Sequence, residues 1–106
     1  MKHRNDFETE VMLEVLGAHI VIFSSRLTDI RSLITQLEQN NLDYKEVRMG
    51  MANEESRSYF NALHKLTDWP YLPQIFVNGK FVGGIDELFN HPLLDEKFNH
   101  EHENAH

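Results

Sequence analysis

The chain contains no cysteine. Disulfides, thiolate nucleophiles and cysteine-ligated iron–sulfur clusters are therefore excluded for this chain acting alone. Long apolar runs are missing too. The longest, "AHIVIF" from Ala18 to Phe23, is strand-sized and falls far short of the roughly 18 residues of a membrane span, so no membrane partner is expected. Basic residues are few: 10 lysines and arginines stand against 17 acidic residues, a formal net charge of −7 at pH 7. Nucleic acid is thus not an expected partner, because phosphate binding needs clustered Lys and Arg. The opening stretch "MKHRNDFETE" lacks the apolar segment of an export signal, which makes the cytoplasm the expected location.

What is present is a globular composition. The 106 residues are 41% hydrophobic and 25% charged, the size and make-up of one ordinary domain. Such a domain buries roughly 60–70% of its unfolded surface and needs no disulfide or metal staple. Acidity gathers at the end: from Asp86 onward six carboxylates stand with one lysine, a net of −5.

Phe7, Val11 and Val15 recur every fourth residue, with Met12 and Leu16 beside them, which predicts an N-terminal helix over residues 1–17 stopped by Gly17. "AHIVIFSS" has no period and reads as a strand buried on both faces. "TDIRSLITQLEQNN" sets Ile30, Leu33, Ile34 and Leu37 on one helical stripe, with Thr28 as N-cap and Asp29 at the positive end. "LDYKEVRM" alternates as a second strand. "NEESRSYFNALHKL" is a further helix with Tyr59, Phe60, Leu63 and Leu66 facing inward and Glu54 and Glu55 in its first turn. "QIFV", a turn at Asn78–Gly79 and "KFVGG" form a β-hairpin. "IDELFNHPLLDEKF" closes the chain as a helical stretch in which Pro92 begins a new turn, and "NHEHENAH" is a polar end. The order α-β-α-β-α-β-β-α predicts an α/β domain, a mixed sheet with helices on its faces. The expected boundaries are the helix at 1–17, one domain at 18–99 and an acidic, His-containing tail at 100–106.

The element order resembles the thioredoxin-like fold in its glutaredoxin form, a four-stranded mixed sheet flanked by helices. Particular residues carry the resemblance further. Glutaredoxins have T-V-P before the third strand and G-G-x-D after the hairpin; here Tyr71-Leu72-Pro73 and Gly83-Gly84-Ile85-Asp86 stand there. The run from Asp68 to Asp86, "DWPYLPQIFVNGKFVGGID", is similar to the pattern of monothiol glutaredoxins. "MANEESRSYF" and the cysteine-free first βα unit also resemble the small SH3-binding glutamate-rich proteins, to a lesser degree.

The resemblance implies a cis peptide at Pro73 and a backbone at Leu72 that pairs with an extended thiol peptide. It also implies that Gly83, Gly84 and Ile85 offer N–H groups to a carboxylate, while Asp86 accepts from the ammonium of glutathione's γ-glutamyl end. The same proline and glycines also serve the fold itself. Thr28 falls where the family's nucleophilic Cys stands, and Arg31 at the second active-site position. Ser25 replaces the lysine that follows the first strand, with Arg26 next to it, and Phe60 replaces the arginine of the second helix, with Arg57 nearly a turn earlier. The loop that monothiol proteins insert before their Cys is absent. An alcohol at position 28 cannot take over a thiolate's role, since it starts many pKa units higher and has no base beside it in sequence.

The expectation is a redox-inactive binding or regulatory module with a groove made of Ser25, Arg26, Thr28, Leu72, Pro73, Gly83, Gly84, Ile85 and Asp86. No catalytic residue, no resident cofactor and no iron–sulfur cluster is expected; the partner is a protein, a thiol peptide or weakly bound glutathione. Two alternatives stand beside it. One is a glutathione transferase-like enzyme in which Ser25 or Thr28 stabilises glutathione's own thiolate; the other is a purely structural interaction subunit. His100, His102 and His106 lie among Glu101 and Glu103, but a polar tail must order every ligand, so no metal site is expected. His64 is expected to face solvent, and His19 at the strand edge is read either way. Trp69 is read as a packing residue or a groove rim, Tyr71 as crowding the groove floor or adding a hydroxyl. Phe81 and Val82 are read as core, or as an exposed strand edge.

Overall fold

The computed structural model describes residues 4–50, 52–92 and 94. Helix α1 spans Arg4–Val15, strand β1 Ile20–Ser25, helix α2 Arg31–Gln39 and strand β2 Lys45–Met49. Helix α3 spans Glu54–Thr67, strands β3 and β4 are Gln74–Val77 and Lys80–Gly83, and helix α4 is Ile85–Phe89. The single sheet has the order β2-β1-β3-β4. β2 runs parallel to β1, while β3 lies antiparallel to β1 and to β4, so the sheet is mixed as expected.

β1 is the centre of the core because alternate residues feed both faces. Val21 and Phe23 join Phe7, Val11, Val15, Met49, Leu63 and Phe76 under α1 and α3. Ile20 and Ile22 join Ile30, Leu33, Leu37, Ile75, Val77 and Leu88 under α2 and α4. The stripe Phe7, Val11 and Val15 is buried as its spacing predicts, but Met12 and Leu16 are exposed, and so is Leu66 of α3. These three lie beside the buried stripes, and no other element covers them among the described residues. Phe81 and Val82 are half-buried, one against each core cluster, so they pack inward rather than forming an exposed apolar edge.

Local chemistry explains most boundaries. Asn53 caps α3, its side chain accepting from the Ser56 N–H at 2.7 Å, with Glu54 and Glu55 in the first turn. The hairpin turns on Asn78 and Gly79, both with positive φ (55° and 80°), the conformation that the Asn-Gly pair favours. After α4, Pro92 and Leu94 are helical; the expected metal-free tail at 100–106 and its histidines lie outside the described residues. Among the described residues no helix is long and apolar enough to cross a membrane.

Candidate functional site

Strand register gathers the sequence-predicted residues at one end of the sheet. Phe23 of β1 lies opposite Gln74 of β3, and Ile75 of β3 opposite Gly83 of β4. The loop that leaves β1, the loop that enters β3 and the link from β4 to α4 therefore emerge side by side. Ser25, Arg26 and Thr28 are on the first, Leu72 and Pro73 on the second, and Gly83, Gly84, Ile85 and Asp86 on the third.

The first loop differs from its expected form. Thr28 does not cap α2, which begins three residues later with Ile30 as an N-cap that offers no side-chain bond. The Thr28 N–H instead closes a turn onto the Ser25 carbonyl at 3.0 Å, and the Ser25 and Thr28 hydroxyls lie 2.9 Å apart. Asp29 takes the capping role: its Oδ1 accepts from the Arg31 N–H at 3.1 Å. The Arg31 guanidinium closes on the same carboxylate through Nε at 3.0 Å and Nη2 at 2.9 Å. Arg31 is thereby committed to its neighbour. Arg26 is exposed with no ion pair among the described residues, and Leu27 is 95% exposed beside it.

The fork from Arg31, with its backbone N–H second, holds the Asp29 carboxyl at about 2, below its ordinary 3.8. A depressed carboxyl pKa favours the folded state above the ordinary value, and that contribution is lost as pH falls through about 2. The pair is solvent-exposed, so its effect is local. In an NMR titration the Asp29 carboxyl should show a midpoint near 2, and Arg31→Ala should return it toward 3.8. An unchanged midpoint in the variant would exclude the fork as the cause.

The second loop is held from beneath by Gln74, a side chain that is completely buried. Its amide nitrogen donates to the Trp69 carbonyl, and its Oε1 lies 2.8 Å from the Thr67 hydroxyl. That hydroxyl also accepts from the Trp69 N–H at 3.2 Å. Trp69 packs edge-on against Phe81 and Tyr71, so it works as a packing residue. Tyr71 is 68% exposed and does not fill the space between the loops. The Leu72–Pro73 peptide is cis, and both residues are half-buried.

The third loop corrects the expectation of free N–H groups at the glycines. The Gly84 N–H donates to Glu87 Oε1 at 2.8 Å, so the chain's own carboxylate occupies it. Gly83 has φ of 128°, and a Cβ there would stand 2.7 Å from Glu87 Cγ. Asp86 is exposed, and its N–H and that of Ile85 lie in the first turn of α4, where no helical acceptor exists for them. Phe60 is half-buried and stacks on His64, while Arg57 is exposed on the same helix; His19 is exposed. From sequence alone Gln74 and Glu87 had no expected role, and Asp29 had a place at the positive helix end but not its bond to the Arg31 N–H. Each left a trace in the sequence: a polar residue opening an apolar strand, an Asp two residues before a helix start, and a Glu three residues after a helix cap.

Three comparisons bear on this arrangement. The Glutaredoxin family model matches residues 31–82. Over these residues, about half of its length, the chain is similar to the glutaredoxin family. It is 38% identical over 66 residues to the mouse protein "Glutaredoxin-2, mitochondrial", covering 61% of this chain and 42% of that relative. It is 30% identical over 67 residues to a probable monothiol glutaredoxin 2 of Rickettsia felis, covering 60% of this chain and 61% of the relative. The chain thus spans less than two thirds of the curated relatives it matches. Among solved structures, reduced glutaredoxin C1 of Populus tremula x tremuloides superposes with a TM-score of 0.75 at 21% identity, covering 88% of this chain and 80% of that one. A buckwheat glutaredoxin–glutathione complex gives a TM-score of 0.73 at 20% identity, with 89% and 84% covered. The thioredoxin-like glutaredoxin fold, with its four-stranded mixed sheet and N-terminal helix, is therefore established for this domain, which has no cysteine.

Proposed function

We propose that this glutaredoxin-like domain is a redox-inactive binding or regulatory module. Its groove, between the Ser25–Thr28 turn, Leu72–Pro73 and the start of α4, holds an extended peptide end, a thiol segment of a protein or, weakly, glutathione. One observation carries this reading. Register brings the three loops together, yet the position that the family gives to a nucleophile holds Thr28, whose hydroxyl is tied to Ser25 at 2.9 Å. No thiolate exists in the chain to attack or leave, so exchange has no mechanism here.

The binding half keeps usable chemistry. The Leu72 backbone suits an extended ligand laid beside the sheet end as a short added strand. The exposed Asp86 carboxylate suits an ammonium group, and the Ile85 and Asp86 N–H groups suit a carboxylate. Because Glu87 already holds the Gly84 N–H, a ligand carboxylate is left with those two amides. Arg26, across the groove, suits a second carboxylate, and the buckwheat neighbour is a complex with glutathione, which makes glutathione the natural probe.

The test is an amide NMR titration of the labelled full chain with glutathione. Saturable shifts at Leu72, Ile85 and Asp86 are expected, weakened several-fold in Asp86→Asn. If these amides stay fixed at millimolar glutathione, the small-ligand reading fails.

A further inference from the structure

β2 is an edge strand, and among the described residues no strand pairs with its outer side. It is five residues long, Lys-Glu-Val-Arg-Met from Lys45 to Met49. Val47 and Met49 turn toward the α1 and α3 face, where they join the core cluster. Glu46 and Arg48 share the opposite face, with Arg48 Nε 3.3 Å from Glu46 Oε2 and the buried Ser24 hydroxyl donating to the same oxygen at 2.6 Å. A groove of about 380 Å³ runs along the strand, walled by α1 and the start of α3.

We propose that this edge is a docking surface for a second copy of the chain, with the two β2 strands antiparallel about a two-fold axis through Val47. Register and charge together select this pairing. Directly opposed residues of an antiparallel pair point to the same face. A two-fold axis perpendicular to the sheet keeps the two copies' faces aligned, so only registers centred on a residue are allowed. Centred on Glu46, the pairing sets Glu46 against its own copy; centred on Arg48, it sets two arginines together. Both place like charges directly opposite, which is destabilising. Centred on Val47, Glu46 of each copy faces Arg48 of the other, and Val47 faces Val47. Charged side chains ordinarily protect an edge strand from pairing. Here they forbid the neighbouring registers and select this one. The result joins two 4-stranded sheets into one of eight strands, within the range of natural sheets.

A contact this short makes a weak, concentration-dependent dimer. It is independent of the groove reading, since β2 carries none of the groove residues. Sedimentation equilibrium of the full chain over the micromolar to millimolar range tests it. Wild type should shift from monomer to dimer, Arg48→Lys should do the same, and Arg48→Glu should remain monomeric. Adding Glu46→Arg to Arg48→Glu restores opposite charges across the axis and should restore the dimer. Arg48 is an exposed side chain, so its single variants keep the fold, checked by thermal melting. A wild type that stays monomeric overturns the proposal. So does a dimer that tolerates Arg48→Glu, or one that dissolves instead with Leu13→Lys on the exposed face of α1.

Discussion

Gly83→Ala is expected to destabilise the domain by about 3 kcal/mol, while Gly84→Ala costs about 0.5–1 kcal/mol. The sequence presents two equal glycines; the structure separates them. Gly83 has φ of 128°, a region that L-residues avoid, and its added methyl would stand 2.7 Å from Glu87 Cγ and 2.9 Å from Glu87 Cβ. A side-chain rotation relieves the first contact but cannot move the Cβ. Backbone strain of about 1–3 kcal/mol and the clash therefore act together. For a domain of this size the loss amounts to a fall of about 15 °C in Tm.

At Gly84 the backbone is ordinary, with φ of −98°. The added methyl there would meet only the carboxylate end of Glu87 at 3.2 Å and the Pro73 carbonyl at 3.7 Å. Its cost is the modest one of exchanging Gly for Ala at a helix cap. The methyl does narrow the gap between the second and third loops. Gly83→Ala is thus expected to lower stability, and Gly84→Ala to weaken a ligand in the groove. Thermal melts of both variants check this, and equal losses in the two would contradict the account.

Gln74→Leu is expected to cost about 2 kcal/mol and lower Tm by roughly 10 °C, although leucine is close in size and the site is fully buried. Burial of an apolar side chain would ordinarily favour the change. The opposing effect is larger, because the Trp69 carbonyl loses its donor and the Thr67 hydroxyl its amide partner. Removing one member of a buried hydrogen-bonded set costs more than the set contributes net. Amide exchange should accelerate at Trp69 and nearby in the 68–73 loop while the central strand stays protected. A neutral or stabilising result would mean that Gln74 does not hold the loop.

Much of the fold was legible because its signals are local. Spacing placed Phe7, Val11 and Val15 in the core, and Asn78-Gly79 announced the hairpin. Periodicity does not reveal where a buried stripe ends, however. Met12, Leu16 and Leu66 are as apolar as their buried neighbours, and only the absence of a covering element leaves them exposed. The site was legible as a set of positions, since the Trp69–Gly84 run fixed the order of its parts. Its bonding was not. Residue type made Thr28 the expected cap, but its turn back onto Ser25 leaves the Arg31 N–H to Asp29. The Gly84 N–H seemed open because Glu87 reaches it only once α4 has formed its first turn.

The groove without chemistry is tested most directly by the glutathione titration of the full chain, run beside Gly84→Ala. Reversible shifts that saturate in the millimolar range at Leu72, Ile85 and Asp86, and that weaken in the variant, are the predicted result. A spectrum that stays unchanged at those amides, or shifts that Gly84→Ala leaves untouched, would contradict the account.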